Sequence, residues 1–140
     1  EEFFELIKKH KIASAVVMVS NKIIDTKGIS YAIRFAIKTL LKNLNTSTKN
    51  TKIFLDGSLK APLEFTQETI IKGDEKVPVI SLASIMAKVT RDQYMKKISK
   101  KYPLFDFHVH KGYGTKRHIS AIKTHGPSTL HRKTFITRIV

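Results

Sequence analysis

Lys52-Ile53-Phe54-Leu55-Asp56-Gly57 predicts a short strand that ends on an acid and a turn residue. Residues 68–71 predict a further strand, which ends at Lys72-Gly73-Asp74. Because strand ends in α/β proteins carry functional groups, Asp56 and Asp74 are candidate ligands for Mg²⁺ or Mn²⁺, which prefer oxygen ligands. The alternative is that both acids are turn residues, since Asp-Gly and Gly-Asp pairs are common in turns.

Helices and strands alternate along the rest of the chain. The patterns predict a helix end over 1–10, a strand over 12–19, a helix capped at Asp25 or Thr26 that runs to Leu44, a helix from a Ser81 cap to about Lys100, and a helix over 115–125 closed by Gly126-Pro127. This mixed order predicts an α/β fold, and 140 residues fit one domain.

The chain is strongly basic, with 26 Lys and Arg against 11 Asp and Glu, a formal net charge of +15. A polyanion is the expected partner, with nucleic acid first and an anionic membrane surface second. A lysine-rich genome is the alternative explanation. The lack of cysteine excludes disulfides and zinc–thiolate sites. No apolar run reaches the roughly 20 residues of a membrane span, so no membrane segment is expected.

The phrase His110-Lys111-Gly112-Tyr113-Gly114-Thr115 is the strongest binding signal in the chain. Glycine lets backbone approach a ligand closely, and a tyrosine between two glycines can lay its ring on a sugar or base. The alternative is a loop before a helix with an incidental tyrosine. His108 and His110 are expected in this loop, and the spacing of the histidines does not indicate zinc, so they contact substrate or support structure.

Asp92 lies at helical spacing from Ile85 and Val89, on an apolar face. A lone buried charge is costly, so its carboxylate needs a partner. It is either a structural anchor or a further metal ligand.

The run Ser84-Ile85-Met86-Ala87-Lys88-Val89-Thr90-Arg91-Asp92 resembles a signature of ribonuclease HII, the type 2 ribonuclease H. The resemblance continues through Lys101-Tyr102-Pro103, the glycine phrase, Gly126-Pro127-Ser128 and His131-Arg132. Upstream, Leu55-Asp56-Gly57 and Lys72-Gly73-Asp74 match in the same order. It covers nearly the whole chain, and the type 3 relative, which lacks the Gly-Tyr-Gly phrase, is less similar.

The resemblance implies a ribonuclease H-like fold, a mixed sheet flanked by helices, with carboxylates gathered around divalent metals. Asp56 and Asp74 match the third and fourth of the four acids that the family uses. Asp92 matches a structural Arg-Asp pair, and Tyr113 matches a tyrosine that packs on the sugar at an RNA–DNA junction. Further nucleic-acid contacts are expected from Gly112, Gly114, Lys111, Lys116 and Arg132, with Lys88 and Arg117 as additional basic candidates.

The activity implied by the resemblance is endonucleolytic cleavage of the RNA strand in RNA–DNA hybrids. It includes cleavage 5′ of a single ribonucleotide in duplex DNA, by two-metal hydrolysis with Mg²⁺ or Mn²⁺ that leaves 3′-hydroxyl and 5′-phosphate ends. The 2′-hydroxyl is the difference such a site must sense. A monomeric cytoplasmic enzyme of ribonucleotide excision repair and DNA replication is expected.

The chain departs from the family at its beginning. The family opens on a strand with Gly-Ile-Asp-Glu-Ala-Gly-Arg-Gly, which carries its first two acids, and no such sequence is present here. Residues 1–140 are therefore expected to be an N-terminally truncated ribonuclease H-like domain without its first strands, and cleavage by the chain as given is expected to be impaired. The alternatives are a non-catalytic hybrid-binding fragment or degenerate copy, and a general basic RNA-binding protein.

Overall fold

The computed structural model describes residues 2–139 and has mixed α/β architecture. The helices, numbered along the chain, are α1 Glu2–Lys9, α2 Asn21–Lys27, α3 Ile29–Asn43, α4 Gly73–Lys76, α5 Pro78–Ser99, α6 Phe107–His110, α7 Lys116–His125 and α8 Lys133–Ile136. The strands are β1 Lys52–Asp56 and β2 Thr66–Ile70, and a 3₁₀ turn covers Pro103–Phe105. The predicted α/β class is confirmed.

The two strands form a small parallel sheet, with Lys52 opposite Thr66 and Asp56 opposite Ile70. Parallel strands usually need a crossover of a dozen or more residues, most often a helix. Here residues 57–65 make the connection, and the Gln67 side chain stabilises it. Gln67 Oε1 accepts the Ala61 N–H at 2.8 Å, and its Nε2 donates to the Ala61 and Pro62 carbonyls at 3.2 Å.

The chain divides into two compact units. One contains the chain up to Val19 and Ser30–Val89, and the other contains Ser20–Ile29 and the chain from Thr90 onward. The buried apolar side chains of the first unit are Phe4, Ile7, Ala32, Leu55, Ala61 and Ile80. The core of the second is a cluster of Met95, Phe105, Phe107, Ile122 and Ile136. The assignment of all 140 residues to one domain stays a prediction.

The strand predicted over residues 12–19 is wrong, because this segment has no strand pairing in the structure. Its apolar, valine-rich sequence suits a strand, but a strand requires a partner whose backbone groups complete the ladder. Within residues 2–139 the only ladder joins β1 to β2.

The predicted helix from Asp25 or Thr26 to Leu44 is two helices. Ser20 caps α2, with its Oγ accepting from the Ile23 N–H, and Gly28 at φ +82° ends it before α3 begins. Asp25 instead accepts the backbone N–H groups of Lys133 and Thr134 at 2.9 and 3.1 Å, where α8 begins. The Thr134 N–H, donating to the carboxylate, lowers the pKa of Asp25 below its usual value. Asp25 therefore caps a helix remote in sequence.

The Ser81 cap is also wrong, because α5 begins at Pro78. Proline is suited to a first helical turn, where its missing N–H leaves no hydrogen bond unmade. Ser81 lies inside α5, and its hydroxyl donates to the backbone carbonyl of Asp74 and to that of Val77. By contrast, α7 begins and ends where predicted, with Thr115 as its cap and Gly126 after it. None of the helices described within residues 2–139 combines the length and the apolar character that a membrane span requires.

Candidate active site and nucleic-acid interface

Asp56 is the last residue of β1, as predicted, and its carboxylate has a defined backbone partner. Its Oδ1 accepts the Gly73 N–H at 2.8 Å. Gly57, at φ +63°, turns the chain away from the strand while its N–H still donates to the Ile70 carbonyl at 3.0 Å. The carboxylate therefore joins the end of β1 to the turn that follows β2.

Asp74 lies in the first turn of α4, not at the end of a strand as predicted. β2 ends at Ile70, and Lys72 in the left-handed conformation, φ +55°, turns the chain into α4. This turn places Gly73, the residue before Asp74, against the Asp56 carboxylate. The structure therefore places the turn that carries Asp74 against the side chain of Asp56. The Asp74 residue itself remains exposed.

The donor chemistry of this pair fits a hard divalent cation. The Gly73 N–H occupies one lone pair of Asp56 Oδ1, so the carboxylate retains acceptor positions. Mg²⁺ is usually bound through one or two carboxylates together with waters and substrate phosphates. Across residues 2–139 no group of three or more His, Cys, Asp or Glu side chains is arranged to hold a metal ion.

Residues 111–115 of the glycine phrase form the loop between α6 and α7. Gly112 adopts φ +82°, and a Cβ there would lie 3.3 Å from Met95 Cε and 3.5 Å from Arg91 Nη2. Arg91 Nη2 also donates to the Lys111 carbonyl at 3.1 Å. Gly112 is thus favoured by its left-handed backbone and by its close neighbours, whereas a Cβ on Gly114 would meet no described atom within 4 Å.

Tyr113 presents its ring to solvent, with 64% of the residue exposed. Its backbone is held on both sides: the Tyr113 N–H donates to the His110 carbonyl at 2.8 Å, and the Tyr113 carbonyl lies 2.9 Å from His118 Nδ1. A rigid backbone with an exposed aromatic ring is suited to stacking on a sugar or base.

Three buried histidines lie under this loop, a feature that the sequence did not indicate. His110, His118 and His131 are 6%, 5% and 7% exposed. The His110 and His118 rings stack with centroids 4.1 Å apart, and the two Nε2 atoms of His118 and His131 are 2.9 Å apart. His108 and His110 both belong to α6, so their placement in a loop was wrong. Sequence spacing could not reveal the cluster, because its members come from three separate segments.

The basic residues that were predicted to contact nucleic acid differ in their partners within the protein. Lys116 is exposed in the first turn of α7. The Arg117 guanidinium pairs with Asp106, at 2.9 Å from Nε and 2.8 Å from Nη2. Arg132 lies over the Phe135 ring, 4.0 Å from its centroid, and the Lys111 ammonium donates to the His108 carbonyl.

The two remaining candidates lie on α5. Lys88 is exposed and Asp92 is partly buried. Among residues 2–139 no hydrogen bond or ion pair reaches the Asp92 carboxylate. The role of Asp92, as anchor or as metal ligand, stays a prediction.

Known proteins match this chain over nearly its whole length. The sequence model of the family described as Ribonuclease HII matches residues 1–138. The Ribonuclease HII of Caldicellulosiruptor bescii is 44% identical over 140 residues, which is the whole of this chain and 67% of that protein. The Ribonuclease HII of Endomicrobium trichonymphae is 44% identical over 136 residues, or 96% of this chain and 64% of that protein. That of Clostridium beijerinckii is 40% identical, with 51% of its length covered. The chain thus spans between half and about two thirds of these relatives.

Proposed function

Because the chain belongs to the ribonuclease HII family, we propose that it takes part in endonucleolytic cleavage of the RNA strand of RNA–DNA hybrids. The proposed substrates include duplex DNA with a single ribonucleotide, cut on its 5′ side. The observation that carries this proposal is the hydrogen bond between Asp56 and Gly73, which sets the turn bearing Asp74 against the end of β1.

Asp56 and Asp74 are the proposed ligands for Mg²⁺ or Mn²⁺. When bound, a pair of such cations supplies an activated water for in-line attack on phosphorus and stabilises the leaving 3′-oxygen, so that the products carry 3′-hydroxyl and 5′-phosphate ends. The chain's own contribution is to orient the two carboxylates. The Gly73 N–H fixes the Asp56 side chain, and the Ser81 hydroxyl bonds the backbone of Asp74.

Tyr113 is the residue proposed to recognise the ribonucleotide. Its exposed ring can pack on a sugar face, and the 2′-hydroxyl distinguishes a ribose from a deoxyribose at such a contact. Lys116 and Arg117 occupy the first turn of α7, the end of a helix that favours anions and disfavours cations. A nucleic-acid phosphate beside these two residues would offset that repulsion, which supports a backbone contact there.

The second candidate is a hybrid-binding chain without catalysis. It is favoured by the finding that the acids described in residues 2–139 form no cluster of three or more potential metal ligands. This candidate and the enzyme predict the same binding surface and differ in the metal chemistry of Asp56 and Asp74.

The test is cleavage of a labelled DNA duplex carrying one ribonucleotide, with Mg²⁺ or Mn²⁺ and an EDTA control, alongside titration of Mn²⁺ into the chain. Asp74→Asn should abolish Mn²⁺ binding and any cleavage that the chain shows while leaving hybrid affinity unchanged, because only the metal ligand is lost. Glu75→Gln is the matched control, since Glu75 is the adjacent exposed acid in α4 and pairs with Lys72 at 3.6 Å.

The outcomes separate the candidates. Metal-dependent cutting 5′ of the ribonucleotide supports the enzyme. Hybrid binding without cutting or Mn²⁺ binding supports the non-catalytic chain. Equal affinity for hybrid and duplex RNA contradicts both and indicates a general RNA-binding protein.

A further inference from the structure

The buried histidines carry hydrogen bonds whose directions follow from their partners. His118 Nδ1 lies 2.9 Å from the Tyr113 carbonyl oxygen, and a carbonyl oxygen can only accept. His118 Nδ1 therefore donates. The role of His118 Nε2 then follows from the atom that it faces, which is His131 Nε2 at 2.9 Å.

His131 supplies the matching donor. Its Nδ1 lies 2.9 Å from the backbone N–H of Ser128, which can only donate, so His131 Nδ1 accepts. The Ser128 hydroxyl is 2.8 Å from the same nitrogen. The ring proton of His131 therefore sits on Nε2 and points at His118 Nε2, 2.9 Å away. The two rings thus form a directed relay from Ser128 to the Tyr113 carbonyl.

His110 holds the other side of the loop. Its Nε2 lies 2.5 Å from the Phe105 carbonyl and so donates, and its Nδ1 accepts the Gly112 N–H at 3.2 Å. The His110 ring stacks on His118, and the Phe107 ring lies nearly perpendicular to both. Each of the three rings is therefore neutral, with one proton whose position is determined by a backbone group.

We propose that His110, His118 and His131 act as positioning residues that fix the backbone of Gly112 and Tyr113, and with it the ring that meets the ribonucleotide. This inference rests on the proposed function, because it takes Tyr113 as the nucleic-acid contact. The histidines do not touch the substrate. They act through the Gly112 N–H and the Tyr113 carbonyl, which lie on the two sides of the same turn.

The arrangement has no position for a further proton. A second proton on His110 Nδ1 would face the Gly112 N–H, one on His131 Nδ1 would face the Ser128 N–H, and one on His118 Nε2 would face the donor of His131. Burial lowers the pKa of His110 and of His131, in keeping with neutral rings.

The nearby charged side chains have opposite effects on the pKa of His110. Asp106 raises the pKa of His110 and Arg117 lowers it, and these two residues pair with each other. The neighbouring histidine His118 lowers the pKa of both His110 and His131. Acidification is thus expected to release the loop.

The first experiment reads the protons directly in the unmodified chain. Long-range ¹H–¹⁵N correlation at neutral pH should show His118 protonated on Nδ1, and His110 and His131 protonated on Nε2. A charged ring, or His118 protonated on Nε2, would overturn the proposal. This measurement needs no variant and no substrate.

The second experiment measures how strongly the chain prefers a duplex with one ribonucleotide over an all-DNA duplex. His118→Ala should reduce this preference by about as much as Tyr113→Ala does, on the order of tenfold for one lost stacking contact. The two substitutions together should cost no more than either alone, since both act through the same ring. His125→Ala is the control, because His125 is an exposed histidine on the same helix, α7.

His118→Asn should restore most of the preference, because the Asn amide nitrogen is bonded to Cγ as Nδ1 is and can donate to the Tyr113 carbonyl. A merely structural role predicts additive losses, equal weakening on the all-DNA duplex, and no advantage of Asn over Ala. If the Ala variant does not fold, the Asn variant and the ring protons of the unmodified chain decide.

The two proposals fail separately. If Tyr113→Ala leaves the preference unchanged, the proposed role of Tyr113 is wrong whatever the ring protons show. If Tyr113→Ala removes the preference and His118→Ala does not, Tyr113 remains the reader and the positioning role of the histidines is wrong.

Discussion

Gly73 couples the Asp56 carboxylate to the packing of its unit, so an added methyl group there tests the site and the core together. A Cβ on Gly73 would lie 2.6 Å from Ile80 Cδ1 and 3.5 Å from both Asp56 Oδ1 and Ile70 Cβ. Carbon atoms pack best at about 3.5–4.0 Å, so Ile80 must move by roughly 1 Å. Ile80 is 7% exposed, so its terminal Cδ1 must move within a buried environment.

The expected cost follows from two opposing effects. Overpacking a core typically costs about 1–3 kcal/mol. Replacing glycine by alanine where φ is not positive, as at Gly73, gains about 0.4–1 kcal/mol by restricting the unfolded chain. Gly73→Ala should therefore lower the free energy of unfolding by about 1–2 kcal/mol.

Ile80→Val provides the control, because it removes the Cδ1 atom that the new methyl group would meet. Alone it should cost about 0.5–1.5 kcal/mol. The double variant should be more stable than the sum of the two single costs predicts, by about 1 kcal/mol or more, since the clash is gone.

Urea unfolding followed by far-ultraviolet circular dichroism measures all four proteins. A cycle that is additive within about 0.5 kcal/mol would refute the reasoning, because distant or non-contacting sites behave that way. Mn²⁺ titration gives a second readout: Gly73→Ala should weaken binding by displacing the N–H that holds Asp56, and the double variant should recover it.

Two further predictions concern the second unit. In the same urea assay, Gly112→Ala should lower the free energy of unfolding by about 1–2 kcal/mol, because alanine is strained at φ +82° and its methyl group would approach Met95. Gly114→Ala should be close to neutral. Equal effects of the two substitutions would contradict this reasoning. Because burial lowers the folded-state pKa of His110 and His131 below 6.5, the unfolded chain binds more protons below that pH, so stability should be fully present above pH 6.5 and fall as the pH drops through the folded values. The urea midpoint should thus be lower near pH 5.5 than near pH 7.5. An unchanged or higher midpoint in acid would show that the rings accept protons without loss of their partners.

Local signals in the sequence were sufficient wherever an element depends on its immediate neighbours. β1 and β2 were predicted to within two residues of their observed ends, from short apolar or β-branched runs followed by turn residues. The bounds of α7 were predicted from Thr115 and Gly126, because caps act within one helical turn. Asp56 was placed correctly at a strand end for the same reason.

Predictions failed where a residue's partner is far along the chain. Asp25 suits a helix cap, but it serves the N–H groups of Lys133 and Thr134, more than 100 positions away. Residues 12–19 have strand composition without a ladder partner. Asp74 was predicted at a strand end, but the left-handed backbone at Lys72 turns the chain into α4 before that residue. Glycine is the usual sequence signal for this conformation, and a lysine does not indicate it.

The α/β class, the family and the candidate residues for chemistry follow from the order of the amino acids, because motif spacing and local propensity are properties of the chain alone. The folded structure determines the contacts of those residues. It joins the Asp56 carboxylate to the backbone before Asp74, and it buries His110, His118 and His131 in one hydrogen-bonded group beneath Tyr113. Hydrogen bonds act over about 3 Å in space, and segments distant in sequence come that close only after the chain has folded.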